Sequence, residues 1–164
     1  MIGKHRLLLL ALMLCSFASF AEAAGRHYYS SWSYYPRRSY YYVYYYYKPT
    51  PTYNSYNYHY CIYYPTRPRY VYYYNPYSRR YWGRYDLEKK GYSMLADKDR
   101  KEKLTDIAES AFPEPAEMPA IPEAKDGERM TPPPAVPENP KDLPESDKGE
   151  GSNKEDKEKN PLPN

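Results

Sequence analysis

The sequence predicts a largely disordered, low-complexity chain, with at most a small β-hairpin and one short helix around residues 80–111. Three observations lead there. Past residue 24, Leu, Ile, Val and Phe together number only 12, far below the roughly 20% that marks a chain with a conventional core. Tyrosine, at 25 residues, is the one large source of apolar surface, and every buried phenol needs a hydrogen-bond partner. Twelve of the 18 prolines fall after residue 112, among charged side chains. Ordering a residue costs about 1–2 kcal/mol of backbone entropy, which scattered aliphatic side chains do not offset.

Residues 1–23 read as a cleavable signal peptide. Lys4, His5 and Arg6 precede an apolar run from Leu7 to Phe20, and Ala21-Glu22-Ala23-Ala24 supplies the small residues of a cleavage site. The run is shorter than the about 20 residues of a bilayer span, and no later stretch is apolar enough to cross. The expected destination is periplasmic, cell-envelope or extracellular. Cys15 leaves with the leader, so Cys61 is the one remaining thiol and the candidate for an intermolecular disulfide.

Residues 24–79 form a Tyr/Arg-rich low-complexity block. From Arg26 to Arg84 there are nine Lys/Arg and no Asp or Glu. Tyr34-Tyr35-Pro36-Arg37-Arg38 and Tyr63-Tyr64-Pro65-Thr66-Arg67 resemble each other, and each leads into a tyrosine run broken by one valine. Two imperfect copies are too few for a solenoid and read as low-complexity expansion. The uncharged run Tyr40–Tyr47 has the high β propensity of a segment prone to pair edge to edge. Arg37, Arg38, Lys48, Pro49 and Pro51 flank it as gatekeepers would.

Residues 80–111 read as a hairpin–helix mini-module. Tyr81–Tyr85 and Tyr92–Leu95 are strand-like around a polar loop ending at Gly91. Asp97 then caps a helix expected over roughly 98–110, with Leu104, Ile107, Ala108 and Ala111 at helical spacing. Residues 112–164 read as a disordered acidic proline-rich tail, with 15 acidic against 7 basic residues from Leu104 onward. Basic block and acidic tail can attract each other within or between molecules.

No constellation for catalysis emerges, and the chain is expected not to be an enzyme and to carry no cofactor or metal. His59-Tyr60-Cys61 places an imidazole near a thiol, but a nucleophile needs a scaffold that fixes the base, and two ligands do not close a metal site. Interleaved arginine and aromatic side chains instead suit cation–π and stacking contacts of about 0.5–1 kcal/mol each. The candidate interaction residues are Arg37, Arg38, Arg67, Arg69, Tyr81, Trp82, Arg84 and Tyr85. The expected partner is another copy of the chain or an anionic envelope polymer, and export argues against nucleic acid.

Tyr81-Trp82-Gly83-Arg84-Tyr85, with Gly91-Tyr92-Ser93 and Ala111-Phe112-Pro113 downstream, resembles a group of uncharacterised tyrosine-rich secreted proteins of planctomycete bacteria. Those pair a signal peptide and a Tyr/Arg/Pro-rich region with a short Trp-Gly-Arg-Tyr hairpin. The resemblance covers about 30 residues; it implies export and an envelope location and transfers no functional residues. The expected function is that of a non-enzymatic structural or adhesive component of the envelope or matrix, acting through Tyr/Arg contacts. The alternative is a secreted binding module in which residues 80–111 recognise a specific envelope partner.

Overall fold

A computed structural model describes residues 25–138 and 162–163; the expected signal peptide and most of the acidic end lie outside the described residues. Turn chemistry organises the chain. In both copies of Tyr-Tyr-Pro-x-Arg the proline takes the second position of a β-turn. The Arg38 N–H donates to the Tyr35 carbonyl at 3.2 Å, and the Arg67 N–H to the Tyr64 carbonyl at 2.8 Å. Proline's fixed φ suits that position. Two further turns start on a side-chain oxygen. Asn75 Oδ1 accepts from the N–H groups of Tyr77 (2.8 Å) and Ser78 (3.2 Å). Asp86 Oδ1 accepts from those of Glu88 and Lys89, both at 3.0 Å. Ser39, Arg79 and Lys90 close three of these loops at φ of 52°, 54° and 53°.

Between the turns run β1 (His27–Tyr29), β2 (Ser33–Tyr35), β3 (Tyr40–Tyr47), β4 (Asn57–Tyr63), β5 (Tyr70–Asn75), β6 (Arg80–Asp86) and β7 (Gly91–Met94). They form one curled seven-stranded antiparallel sheet in the order β1-β3-β4-β5-β6-β7, with β2 beside β1 along β3. The reading of a disordered polymer with one hairpin is thereby overturned. The strands expected at Tyr81–Tyr85 and Tyr92–Leu95 are β6 and β7, two of seven, and the division drawn between 79 and 80 cuts the β5–β6 hairpin. The run Tyr40–Tyr47 is paired on both sides rather than offered as an edge. The β7 edge is covered where Tyr92 and Ala116 exchange backbone hydrogen bonds of 2.8 and 2.9 Å, the protection an open strand needs.

Tyrosine takes the place of the missing aliphatics. Side chains alternate across the sheet, so one face carries Tyr41, Val43, Tyr45, Tyr47, Cys61 and Tyr73, and the other Tyr40, Tyr58, Tyr60, Ile62, Tyr72 and Tyr81. Each ring brings some 150–250 Å², enough to build two aromatic layers. Several hydroxyls find partners at the margins, while those of Tyr45 and Tyr92 have none among the described residues. Tyr73 and Tyr29 share a hydrogen bond of 2.9 Å, Tyr29 donates to the Thr131 carbonyl at 2.7 Å, and Tyr64 and Tyr81 pair at 2.8 Å.

Both faces are closed by straps drawn from the second half of the chain. Residues 95–112 cross the second face, packing Leu95, Leu104, Ile107, Ala111 and Phe112 onto it. No α-helix forms over 98–110. Three single 3₁₀ turns, Asp97–Asp99, Leu104–Asp106 and Glu109–Ala111, are separated by extended residues. A helix rises only about 1.5 Å per residue, whereas an extended strap with 3₁₀ turns covers more sheet with the same residues. An isolated helix of this length is also marginal.

The tail expected to be disordered returns across the first face as far as it is described. Ile121 and Met130 are buried there, Met118, Ala124 and Val136 pack against the same cluster, and the Trp32 indole N–H donates to the Ala135 carbonyl at 2.8 Å. Its proline content keeps it extended, which a strap requires. The charge division of the sequence is realised within the molecule. Arg26 pairs with Asp126, Arg79 with Glu102 at 2.5 Å, Arg84 with Glu109 at 2.5 Å and Lys89 with Glu114 at 2.7 Å.

Asp86 ties sheet to turn and supplies a first test. It is 2% exposed, and besides its two turn N–H groups it accepts from Arg69 Nη2 at 2.7 Å and Nε at 3.0 Å. Burial pushes its carboxyl up, but the Arg69 guanidinium and the N–H groups of Lys89 and Glu88 outweigh that and hold it below the usual range. Asp86→Ala is expected to lower stability by about 3 kcal/mol, the scale of losing charge-assisted hydrogen bonds from a buried acceptor. Urea unfolding reads this directly; a loss under about 1 kcal/mol would mean the carboxylate does not hold the turn.

Candidate functional site

An antiparallel meander stacks alternate loops at one end. Tyr41 lies opposite Tyr63, Tyr63 opposite Val71, and Val71 opposite Tyr85. The loops 36–39, 64–69 and 87–90 therefore share one end of the sheet, and Arg37, Arg38, Arg67 and Arg69 come together there. Burial pushes the Tyr64 phenol up in pKa, while its bond to Tyr81 and the charges of Arg67 and Arg38 pull it back. Both guanidiniums thus act on one hydroxyl.

The strap completes the site. Two concavities flank Arg67. One, of about 370 Å³, lies among Arg67, Arg69, Tyr70, Tyr72 and Glu109; the other, of about 250 Å³, among Tyr64, Arg67, Lys103, Leu104 and Thr105. The floor is cationic and aromatic.

Arg84 sits at the back of this region, its side chain 8% exposed. Its guanidinium lies 3.7 Å from the Tyr70 ring centre and 4.0 Å from that of Phe112, a desolvated sandwich in which cation–π attraction reaches about 2 kcal/mol. Nη2 meets Glu109 at 2.5 Å, whereas Nε and Nη1 have no hydrogen-bond partner among the described residues. The hydrogen bond from Arg84 holds the Glu109 carboxyl below the usual range; the charges of Arg84, Arg67 and Arg69 add to it and outweigh partial burial. Among the described residues only Arg84 pairs with this carboxylate, which is itself 68% exposed; Arg67 and Arg69 act on it by charge from further off, Arg69 being held by Asp86.

The other candidate residues are elsewhere. Tyr81 is 0%, Trp82 7% and Tyr85 7% exposed, so these rings build the core and are not contact surface. Cys61 is buried in the middle of β4, and burial raises its thiol pKa well above the usual value. A disulfide to another chain would first require the strap to lift. His59, on the same face, is fully enclosed; burial and then the charge of Arg100 lower its pKa to about 3. Among the described residues no group of three or more His, Cys, Asp or Glu side chains is placed to hold a metal ion, and no helix is long and apolar enough to cross a membrane.

No family model, curated protein or solved structure matches this chain. The arginines expected from the sequence lie at this end beside Tyr64, Tyr70, Lys103, Glu109 and Phe112, which the sequence reading does not name as interaction residues. The missed signal was the proline turn in each Tyr-Tyr-Pro-x-Arg copy, which sets the two arginine clusters on loops pointing the same way.

Proposed function

We propose that the protein is a non-enzymatic component of the cell envelope or extracellular matrix that holds an anionic, carboxylate-bearing polymer at its arginine end. The observation that carries this reading is Glu109. The protein's own carboxylate pairs with Arg84 at 2.5 Å under the added charge of Arg67 and Arg69, as an acidic polymer side group would. Arg37 and Arg38 on the neighbouring turn and Lys103 on the strap extend the cationic track beyond one carboxylate. The tyrosines serve mainly as scaffold, with Tyr64 and Tyr70 as the aromatic floor.

Retention on immobilised polygalacturonate, eluted with a salt gradient, tests it. Screening over about 10 Å at 0.1 M ionic strength makes such contacts salt-sensitive. The triple variant Arg37→Ala/Arg38→Ala/Arg67→Ala is expected to elute at distinctly lower salt. Glu109→Gln, which removes the internal competitor, is expected to elute later than the parent. Elution of the triple variant with the parent protein would defeat the proposal.

A further inference from the structure

The second face of the sheet is closed unevenly. Over β5 the strap meets it, with Phe112 edge-on to Tyr72 at 6.3 Å. Along β3, Tyr42, Tyr44 and Tyr46 remain half-buried, and they belong to a connected ladder of phenol rings. Tyr44 and Tyr46 stack at 5.5 Å, and Tyr46 stacks on Tyr28 of β1 at 4.9 Å. Toward β4, Tyr44 lies 5.0 Å from Tyr60 and 5.3 Å from Tyr58, and Tyr58 lies 5.6 Å from Tyr77 in the β5–β6 turn. All are distances of rings in contact. The ladder reaches solvent at two exits, both toward the end of the sheet opposite the arginines: Tyr28 is 48% exposed and Tyr77 52%. Tyr53 is 42% exposed but touches no other aromatic ring among the described residues.

Phenol rings in van der Waals contact exchange an electron readily, but a tyrosine stays oxidised only where its proton can leave. Tyr60 is 1% exposed, and burial drives its hydroxyl well above the usual pKa, with Tyr44 and Tyr58 adding to the effect. A radical formed at any rung therefore settles where water accepts the proton, at Tyr28 or Tyr77. Phenoxyl radicals couple through ring carbons ortho to the oxygen, and coupling needs a second radical ring at contact distance. With one radical per chain, that ring belongs to another copy.

We infer that Tyr28 and Tyr77 are oxidative cross-linking sites, at which copies of this protein are joined by dityrosine bonds, and that the tyrosine ladder of the second face feeds both. The reaction balances with a peroxide as electron acceptor. Two tyrosines, one on each copy, each give up one electron and one proton. The two phenoxyls form an ortho carbon–carbon bond, and each ring's displaced hydrogen moves to its own oxygen. One hydrogen peroxide takes the two electrons and two protons and leaves as two waters. The joined ends lie away from Arg37, Arg38 and Arg67, so the inference is independent of what the arginine end holds. Limited hydrogen peroxide with a haem peroxidase, followed by denaturing gel electrophoresis and mass spectrometry of the linked peptides, tests it. Dimers linked at Tyr28 and Tyr77 are expected, with Tyr53 contributing little despite its similar exposure. Tyr46→Phe keeps a ring but removes an oxidisable rung, and is expected to lose most of the linkage at Tyr28 while Tyr77 links as before. Tyr58→Phe is expected to do the reverse, and in each variant the untouched exit reports an intact fold. Linkage at Tyr53 equal to that at Tyr28 and Tyr77, or linkage unchanged by either rung variant, would overturn the feed through the ladder. Dimers at the parent yield in Tyr28→Phe/Tyr77→Phe would overturn the sites.

Discussion

Replacing Gly83 with alanine is expected to cost about 3 kcal/mol or more. A Cβ built there meets Tyr92 Oη at 2.0 Å, Tyr92 Cζ at 2.4 Å and the Ser93 carbonyl oxygen at 2.7 Å. None of these can retreat cheaply. Tyr92 is 3% exposed and stands edge-on to Tyr73 at 5.2 Å and tilted against Trp82 at 5.5 Å. Ser93 belongs to β7, whose partner is β6 itself, with Arg84 opposite Ser93 and Tyr85 opposite Tyr92. The added methyl must therefore push two strands apart or turn a buried ring out of its layer. Domains are stable by only about 5–15 kcal/mol, so the loss is a large share of the whole. Urea denaturation should show a midpoint far below that of the parent. A midpoint within experimental error of it would mean that the β6–β7 face is loosely packed.

Acidification to pH 4.5 is expected to remove about 3 kcal/mol through His59 alone. The imidazole titrates near 6.5 in the unfolded chain and near 3 in the folded one, because burial excludes the charged form and Arg100 opposes it further. Between those values the unfolded state binds the proton and the folded state does not. Stability is thus complete above about pH 6.5 and falls steadily as pH drops toward 3. Asp86, held low by Arg69 and the turn N–H groups, acts in the same direction, its share being lost as pH falls into the ordinary carboxylate range and below it. Between pH 7.5 and 4.5 His27, whose pKa burial also lowers, and Glu109, held low by Arg84, act in the same direction, so the His59 share is read as the difference in unfolding free energy between parent and variant. His59→Gln, which keeps a polar partner for the Tyr47 hydroxyl, should flatten the dependence across this window. An equal loss in parent and variant would show that another group is responsible.

Much of the local structure was legible in the residues. The hairpin of Arg80–Asp86 and Gly91–Met94 follows from alternating aromatic runs around a polar loop. The β tendency of Tyr40–Tyr47 follows from its composition. Pro36, Pro65, Asn75 and Asp86 each mark a turn by a mechanism that needs no tertiary contact. Counting Leu, Ile, Val and Phe hid the fold, because that count treats tyrosine as a surface residue. In this chain Tyr45, Tyr60, Tyr73 and Tyr81 are at most 1% exposed. The helix expected over 98–110 failed for a related reason. Leu104, Ile107 and Ala111 do mark a face that packs, but they pack along a strap whose length the sheet dictates.

The amino-acid sequence by itself determined where the chain turns, which stretches are extended, and that positive charge precedes negative. These are properties of neighbouring residues, set by proline's fixed φ, by Asx side chains reaching the next N–H groups, and by β propensity. Only the tertiary structure decided that the tyrosines form two layers, that straps within residues 95–136 close over them, and that Arg84 pairs with Glu109 at the end of the sheet where Arg67 and Arg69 also lie. Such outcomes depend on strand register and on partners 100 or more residues apart, as Arg26 and Asp126 or Trp32 and Ala135 are. The entropy cost of ordering a proline-rich strap is local and visible in composition. The apolar contacts and ion pairs that offset it exist only once the sheet beneath has formed.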